Sequence, residues 1–351
     1  MNSSTRRSDL FLTAAAALAA LILLWPAASN SVARAAGKSK GIDVEIPYEV
    51  AMLKTPGIAA PYYLNEISGG KMVVSDRTGG VYSVTFAAKV TELAGKAKLK
   101  HPAGVAAAPA GFGAYQGQIF VLNADDEKAS CEVDRIDASG AVSTFAKLPD
   151  GGSGKPTDCR DLEFGPASSP FAGKLFAATT GNSAIYAVDS SGKASVFGAY
   201  DKPLAMELTT IGFAPATDPK APNTMLVGMR PSSIGGVRGG RISIVAPDGK
   251  LKDDVYMVGF MRATGFGTSP SGWGSYPDTF FIADAGKLAT ENNAAPDGEI
   301  YRVYKDVPRT YAKMLIDPTC LKFINNRMVL CDPCGHGKVN DGAIVVISSM
   351  L

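Results

Sequence analysis

SGWGSYPDTFFIADAG at residues 271–286, a polar stretch, and then DGEIYRVY at 297–304 decide the fold. Thr279–Ala283 has the aromatic and β-branched content of a short strand, and Asp284 opens a loop. Asp297-Gly298 then leads into a second strand, Glu299–Tyr304. The same strand, loop and strand recur at 71–84, 118–137, 174–189, 224–245 and 327–348. Taking Val73, Phe120, Phe176, Leu226, Phe281 and Val329 as the strand centres, successive steps are 47, 56, 50, 55 and 48 residues.

A period near fifty built only of short strands is the pattern of a β-propeller, one blade per repeat. The expected fold is therefore all-β: six four-stranded antiparallel blades in a ring. Small and apolar residues precede each centre: about 58–64, then Val105–Ala108, Leu162–Gly165, Thr210–Ala214, Gly265–Thr268 and Leu321–Ile324. Small side chains suit innermost strands, where blades converge. Turns holding Gly140, Gly192 and Gly249 lead to outer strands at Val142–Ala146, Ala194–Gly198 and Val255–Gly259, glycine supplying the positive φ of a tight hairpin. The sixth repeat reaches Leu351 without an outer strand, which leaves an open edge. Asp43–Met52 is the unassigned strand-like segment and is expected to close the ring by supplying it.

Residues 1–36 read as a secretory signal peptide: Arg6-Arg7, the apolar run Leu10–Trp25, and an Ala33-x-Ala35 cleavage site. The run is 16 residues long, shorter than the roughly 20 that a membrane helix needs. No stable membrane anchor is expected after cleavage, and residues 37–351 form one domain, periplasmic or secreted. Removing residues 1–35 takes away Arg6, Arg7, Arg34 and Asp9 and leaves 32 basic and 32 acidic side chains. That balance, with no basic run, excludes a nucleic-acid footprint.

The repeat pattern over residues 43–351 resembles the six-bladed propellers of the NHL, SMP-30/gluconolactonase and TolB-like group. In such a ring the loops entering inner strands and those leaving second strands share the face around the channel mouth. Asp161, Glu207, Arg262, Asp284, Asn123 and Asp76 are expected there as ligand-binding residues, with Arg160, Asp125, Asp126, Asn182, Arg230, Thr319 and Asp332. Their oxygens offer the kind of ligand set that Ca²⁺ takes, about six to eight oxygens. Asp and Asn also open loops simply because their side chains cap turns. The resemblance implies a metal-assisted lactonase, but Ala59-Ala60-Pro61 stands where that family carries Glu-Gly-Pro, which removes an expected metal ligand. Sugar dehydrogenases of this fold use a histidine base beside a quinone, and only His101 and His336 are present.

Of the five cysteines, Cys131 and Cys159 fall on one face in neighbouring blades and are expected to bridge. Counting outward from a two-residue turn at Asn325-Asn326 sets Cys320 opposite Cys331. A second bridge from Cys320 to Cys331 or Cys334 is expected. Cys334 is favoured because the Cys320–Cys331 position is hydrogen-bonded and its Cα atoms are further apart. A Cys320, Cys331, Cys334 and His336 metal cluster is the alternative. Trp273 and Tyr276 align with Phe112 and Tyr115 in loops on the opposite face, where packing is their expected role. The resulting expectation is an exported binding scaffold for a small molecule or protein at the channel mouth, with the lactonase as alternative.

Overall fold

A strand flanked by other blades on both faces has to be apolar on both faces, and the middle of each repeat meets that demand. Leu175–Thr179 and Ala184–Val188 are buried at every position, whereas no residue of the outer strand Ala194–Ala199 is buried. The structure is a computed structural model. It describes residues 36–37, 42–44, 48–125, 127–151, 154–200, 206–218, 220–231, 239–287, 296–304, 307–336, 338 and 340–350. The expected leader, apart from Ala36, and Asp126 lie outside the described residues.

Six antiparallel sheets form the blades. Blade one comprises Pro61–Ile67, Lys71–Asp76, Val81–Val84 and Val90–Ala94. The inner strands of blades two to six are His101–Ala107, Cys159–Phe164, Met206–Phe213, Ala263–Thr268 and Cys320–Ile324. Each packs on the next, and the last packs back on Pro61–Ile67, so the ring is closed. Small residues make this convergence possible. A Cβ at Gly104 would collide with the Leu162 backbone of blade three, and one at Gly265 with the Leu321 backbone of blade six.

Closure is made by the N-terminal segment. Tyr48–Leu53 is the outer strand of blade six, running in register from Ile344↔Leu53 to Ser349↔Tyr48. The expected segment divides, however: Asp43 and Val44 pair with Lys313 and Ala312 on the edge of blade five. Ala36 and Gly37 add a further short strand outside Leu53 and Met52. One segment thus straddles two blades.

Inner strands of blades one to five share an irregularity at their mouth ends. Register breaks between Pro61 and Tyr63, Pro102 and Val105, Cys159 and Leu162, Leu208 and Thr210, and Ala263 and Gly265. Such bulges withdraw carbonyls from the ladder and re-aim side chains. Hydroxyl groups stitch blade to blade through carbonyls at or beside these breaks and through Pro318 O. Ser75 donates to Ala103 O, Thr180 to Leu208 O, Thr209 to Ala263 O, Thr264 to Pro318 O, and Thr319 to Tyr62 O. These bonds join blades one to two, three to four, four to five, five to six, and six to one. Between blades two and three the link is covalent: Cys131 and Cys159 form the expected disulfide.

The second expected bridge is not formed. Cys320, Cys331 and Cys334 are buried free thiols. Asn325 and Asn326 both take positive φ, making the two-residue turn, and Cys320 does stand opposite Cys331. The Cys320 sulfur accepts the Cys331 N–H at 3.1 Å, while Cys334 lies beyond the strand end, its N–H on Asp332. On the opposite face, aromatic plugs pack blade two on three, three on four, and five on six. Phe112 meets Phe164, Phe171 meets Phe213, and Trp273 meets Phe323, with centroids 4.8, 5.4 and 4.8 Å apart. Trp273 and Phe112 are core residues, as their loop positions imply.

Candidate functional site at the mouth of the ring

The residues that end the second strands face the mouth, but their polar atoms turn inward to the backbone. Asp76 accepts the N–H groups of Ala59 and Ala60 and both the N–H and the hydroxyl of Thr78, all within its own blade. Asp284 does the same for Met261, Arg262 and Gly286, and Asp332 for Ile316, Asp317 and Cys334. In blade two Asn123 takes the His101 N–H and donates to Asp134. Each of these side chains is a clasp that holds the entry to the inner strand. Burial pushes the Asp332 carboxyl up to about 6, with nearby Asp317 adding to the effect and the donated N–H bonds opposing it.

The remaining expected residues are also engaged. Glu207 pairs with Arg230 at 2.6 Å inside blade four. The Arg262 guanidinium is buried against Asp317, although its own N–H brings it to Asp284. Asn182 donates to Gly151 O, Gly154 O and the Tyr186 hydroxyl. Asp125 is held by Lys100 and Lys128, whose hydrogen bonds draw its carboxyl down to about 2. These two lysines, Lys98, Glu132 and Asp134 line an open groove of about 550 Å³ along blade two.

Asp161 belongs to the ring axis. Its carboxylate accepts the Leu162 and Ile211 N–H groups and the Thr210 hydroxyl. Glu163, on the same inner strand, pairs with Lys322 of blade six. The Tyr63 hydroxyl of blade one reaches Thr209 O of blade four at 3.5 Å. Side chains from opposite blades therefore meet at the axis. Burial raises the Asp161 and Glu163 carboxyls, the latter to about 7, while Lys322 pulls both back.

A cavity of about 190 Å³ does open at the mouth, over the start of the blade two inner strand. Tyr62, Arg77, His101, Ala103 and Asp158 line it. Two bulges build its walls. Tyr62 from blade one and Arg160 from blade three lean over blade two and join through Arg160 Nη1–H to the Tyr62 hydroxyl. Arg160 is fixed further by Thr180 and by Asp158 at 2.9 Å. Asp158 takes a positive φ of 53°, a conformation found disproportionately at functional sites. The Arg77 guanidinium lies over the Tyr62 ring, 4.9 Å from its centroid, and the residue is exposed. None of the six expected ligand-binding residues lines this cavity. It adjoins two of them, because Arg77 follows Asp76 and Ala124 follows Asn123. Arg77 and Asp158 carried one available signal: both flank strand ends on the mouth face.

The fitness of this mouth for a divalent ion can be judged from the donors. Calcium needs several oxygens turned to one point. Asp76, Asp284 and Asp332 turn theirs to separate backbone N–H groups. Among the described residues no three His, Cys, Asp or Glu side chains gather as a metal site. These residues do not fit the ion. The cluster of Cys320, Cys331, Cys334 and His336 is not assembled either, and burial raises the Cys331 and Cys334 thiols, the latter to about 12.

No family model matches the chain, and no curated protein matches it in sequence. Solved structures do share its fold. A putative oxidoreductase (glucose dehydrogenase) from Thermus thermophilus is 11% identical, with a TM-score of 0.59 covering 86% of this chain and 99% of its own. A soluble aldose sugar dehydrogenase from Escherichia coli, in its apo-form, is 13% identical with the same score and coverage. A putative gluconolactonase is 11% identical, with a TM-score of 0.56 covering 88% and 94%. These likenesses establish the six-bladed propeller, consistent with the group that the repeat pattern resembles.

Proposed function

We propose that this chain is an exported propeller that acts as a binding scaffold, holding a small polar ligand in the mouth cavity beside Tyr62, Arg77 and His101. One observation carries the reading: the mouth carboxylates are spent on clasping backbone, while Arg77 is left exposed over a formed polar cavity. Export is supported by the leader pattern of residues 1–36 and by the Cys131–Cys159 bridge, since disulfides persist in oxidising compartments. No helix among the described residues is long and apolar enough to cross a membrane.

A metal-assisted lactonase is the competing reading, favoured by the fold-level likeness to a putative gluconolactonase. The two separate on purified mature protein. The scaffold reading expects elemental analysis to find no stoichiometric calcium and chelation to leave the melt unchanged. It also expects saturable binding of a small polar ligand that His101→Trp, which fills the mouth, abolishes. Stoichiometric calcium whose removal destroys lactone hydrolysis would overturn it.

A further inference from the structure

The mouth cavity has a charge pattern that selects among small ligands. Arg160 is neutralised by Asp158 and anchored by Tyr62 and Thr180. Arg77 carries the second positive charge, and among the described residues no carboxylate pairs with it. Its guanidinium lies over the Tyr62 ring, 4.9 Å from the centroid, which holds it beside the cavity with its planar fork of N–H groups free to donate. Tyr62 is in turn 3% exposed and held by Arg160, so the platform beneath Arg77 is rigid. The guanidinium fork itself matches a planar oxyanion through two parallel hydrogen bonds. Pro102, Ala103 and Ala124 give the cavity apolar lining with no donor side chain, and His101 and the Arg160-paired Asp158 complete it. The cavity's 190 Å³ admits a molecule of only a few heavy atoms.

We infer that the mouth cavity is a site for a small carboxylate, its two oxygens on the Arg77 guanidinium and its short body against Pro102 and Ala103. This rests on the scaffold reading above and adds the ligand class. Nothing is transformed; the site binds.

The test is calorimetric titration of the mature protein with lactate, with its neutral amide lactamide, and with inorganic phosphate, repeated on Arg77→Gln and His101→Trp. Arg77 and His101 are exposed, so both variants are expected to melt as wild type. The inference expects saturable lactate binding, no lactamide binding, and lactate binding weakened about tenfold or more by Arg77→Gln, the worth of a charge-assisted hydrogen bond. Equal binding of lactate and lactamide, both lost in His101→Trp, would overturn the carboxylate class and leave the scaffold reading standing. Phosphate binding as tightly as lactate, with both lost in Arg77→Gln, would replace the planar class by any small anion. Lactate bound equally by wild type and His101→Trp would place binding elsewhere and overturn both readings. No lactate binding at all would overturn the inference alone.

Discussion

Lys322 of blade six donates to Glu163 of blade three, and the pair spans the axis of the ring. Both side chains sit on inner strands three blades apart, which in a six-membered ring means opposite one another. Removing one partner of this largely enclosed ion pair leaves the other charge poorly solvated. Lys322→Met should therefore cost about 3–5 kcal/mol in urea unfolding, and adding Glu163→Leu should recover much of the loss. Equal stability of wild type and Lys322→Met would show that the pair contributes nothing.

The same pair sets a pH dependence with a definite sign. Burial, only partly offset by Lys322, raises the Glu163 carboxyl from 4.5 to about 7 in the folded protein. The folded state then binds the proton more tightly than the unfolded chain. Its contribution is greatest below the unfolded value and declines as pH rises toward 7. Wild-type stability should fall between about pH 5 and pH 7, and Glu163→Gln should flatten that fall. Asp332, raised to about 6, acts in the same direction and will keep part of the slope. Unfolding midpoints measured across this range decide the point; an unchanged slope in Glu163→Gln would refute it.

Asp284 and Asp76 should behave as structural residues. Asp284→Ala strands the Met261, Arg262 and Gly286 N–H groups. A loss of about 2–4 kcal/mol is expected, with lactate affinity unchanged. Loss of affinity with no loss of stability would instead make Asp284 a ligand contact.

The disulfide should matter as a seam. The Cys131–Cys159 link closes a loop of 28 residues and is worth roughly 3–4 kcal/mol on the chain-entropy account. Cys131→Ala with Cys159→Ala should lower the melting temperature, and peptide mapping of unreduced protein should find residues 131 and 159 linked. Five free thiols in the exported protein would remove the bridge.

Much of this architecture was legible. The apolar runs around Phe120, Phe176 and Phe281 announce strands covered on both faces, and all three are fully buried. The turn at Asn325-Asn326 set the Cys320–Cys331 register because both residues tolerate positive φ. The bulges were not legible. Whether Tyr62 or Arg160 leaves its ladder depends on how close the next blade comes, and no local period records that. The six expected mouth residues fared unevenly for the same reason. Asp76 and Asp284 do open mouth loops, yet besides their own turns they hold N–H groups 16 to 23 residues away, which only the folded register brings near. Cys334 falls outside the Cys320 register because Asp332 ends the strand and gathers the following turn, Cys334 N–H included, onto its carboxylate.

Tyr48–Leu53 finds its partner in Ala343–Ser349, at the other end of the chain. The strand synthesised near the beginning is therefore the last to be paired. Five blades can assemble locally as they emerge, each from consecutive residues, while residues 48–53 wait with their hydrogen-bonding groups unsatisfied. Completion of the ring is a single late event of very long sequence separation, and such contacts are the slow ones in folding. For the whole interval before it, the edge of Ala343–Ser349 and the free N-terminal strand are each able to capture the complementary segment of another copy. The junction that closes the finished ring is the point at which two unfinished rings would exchange strands.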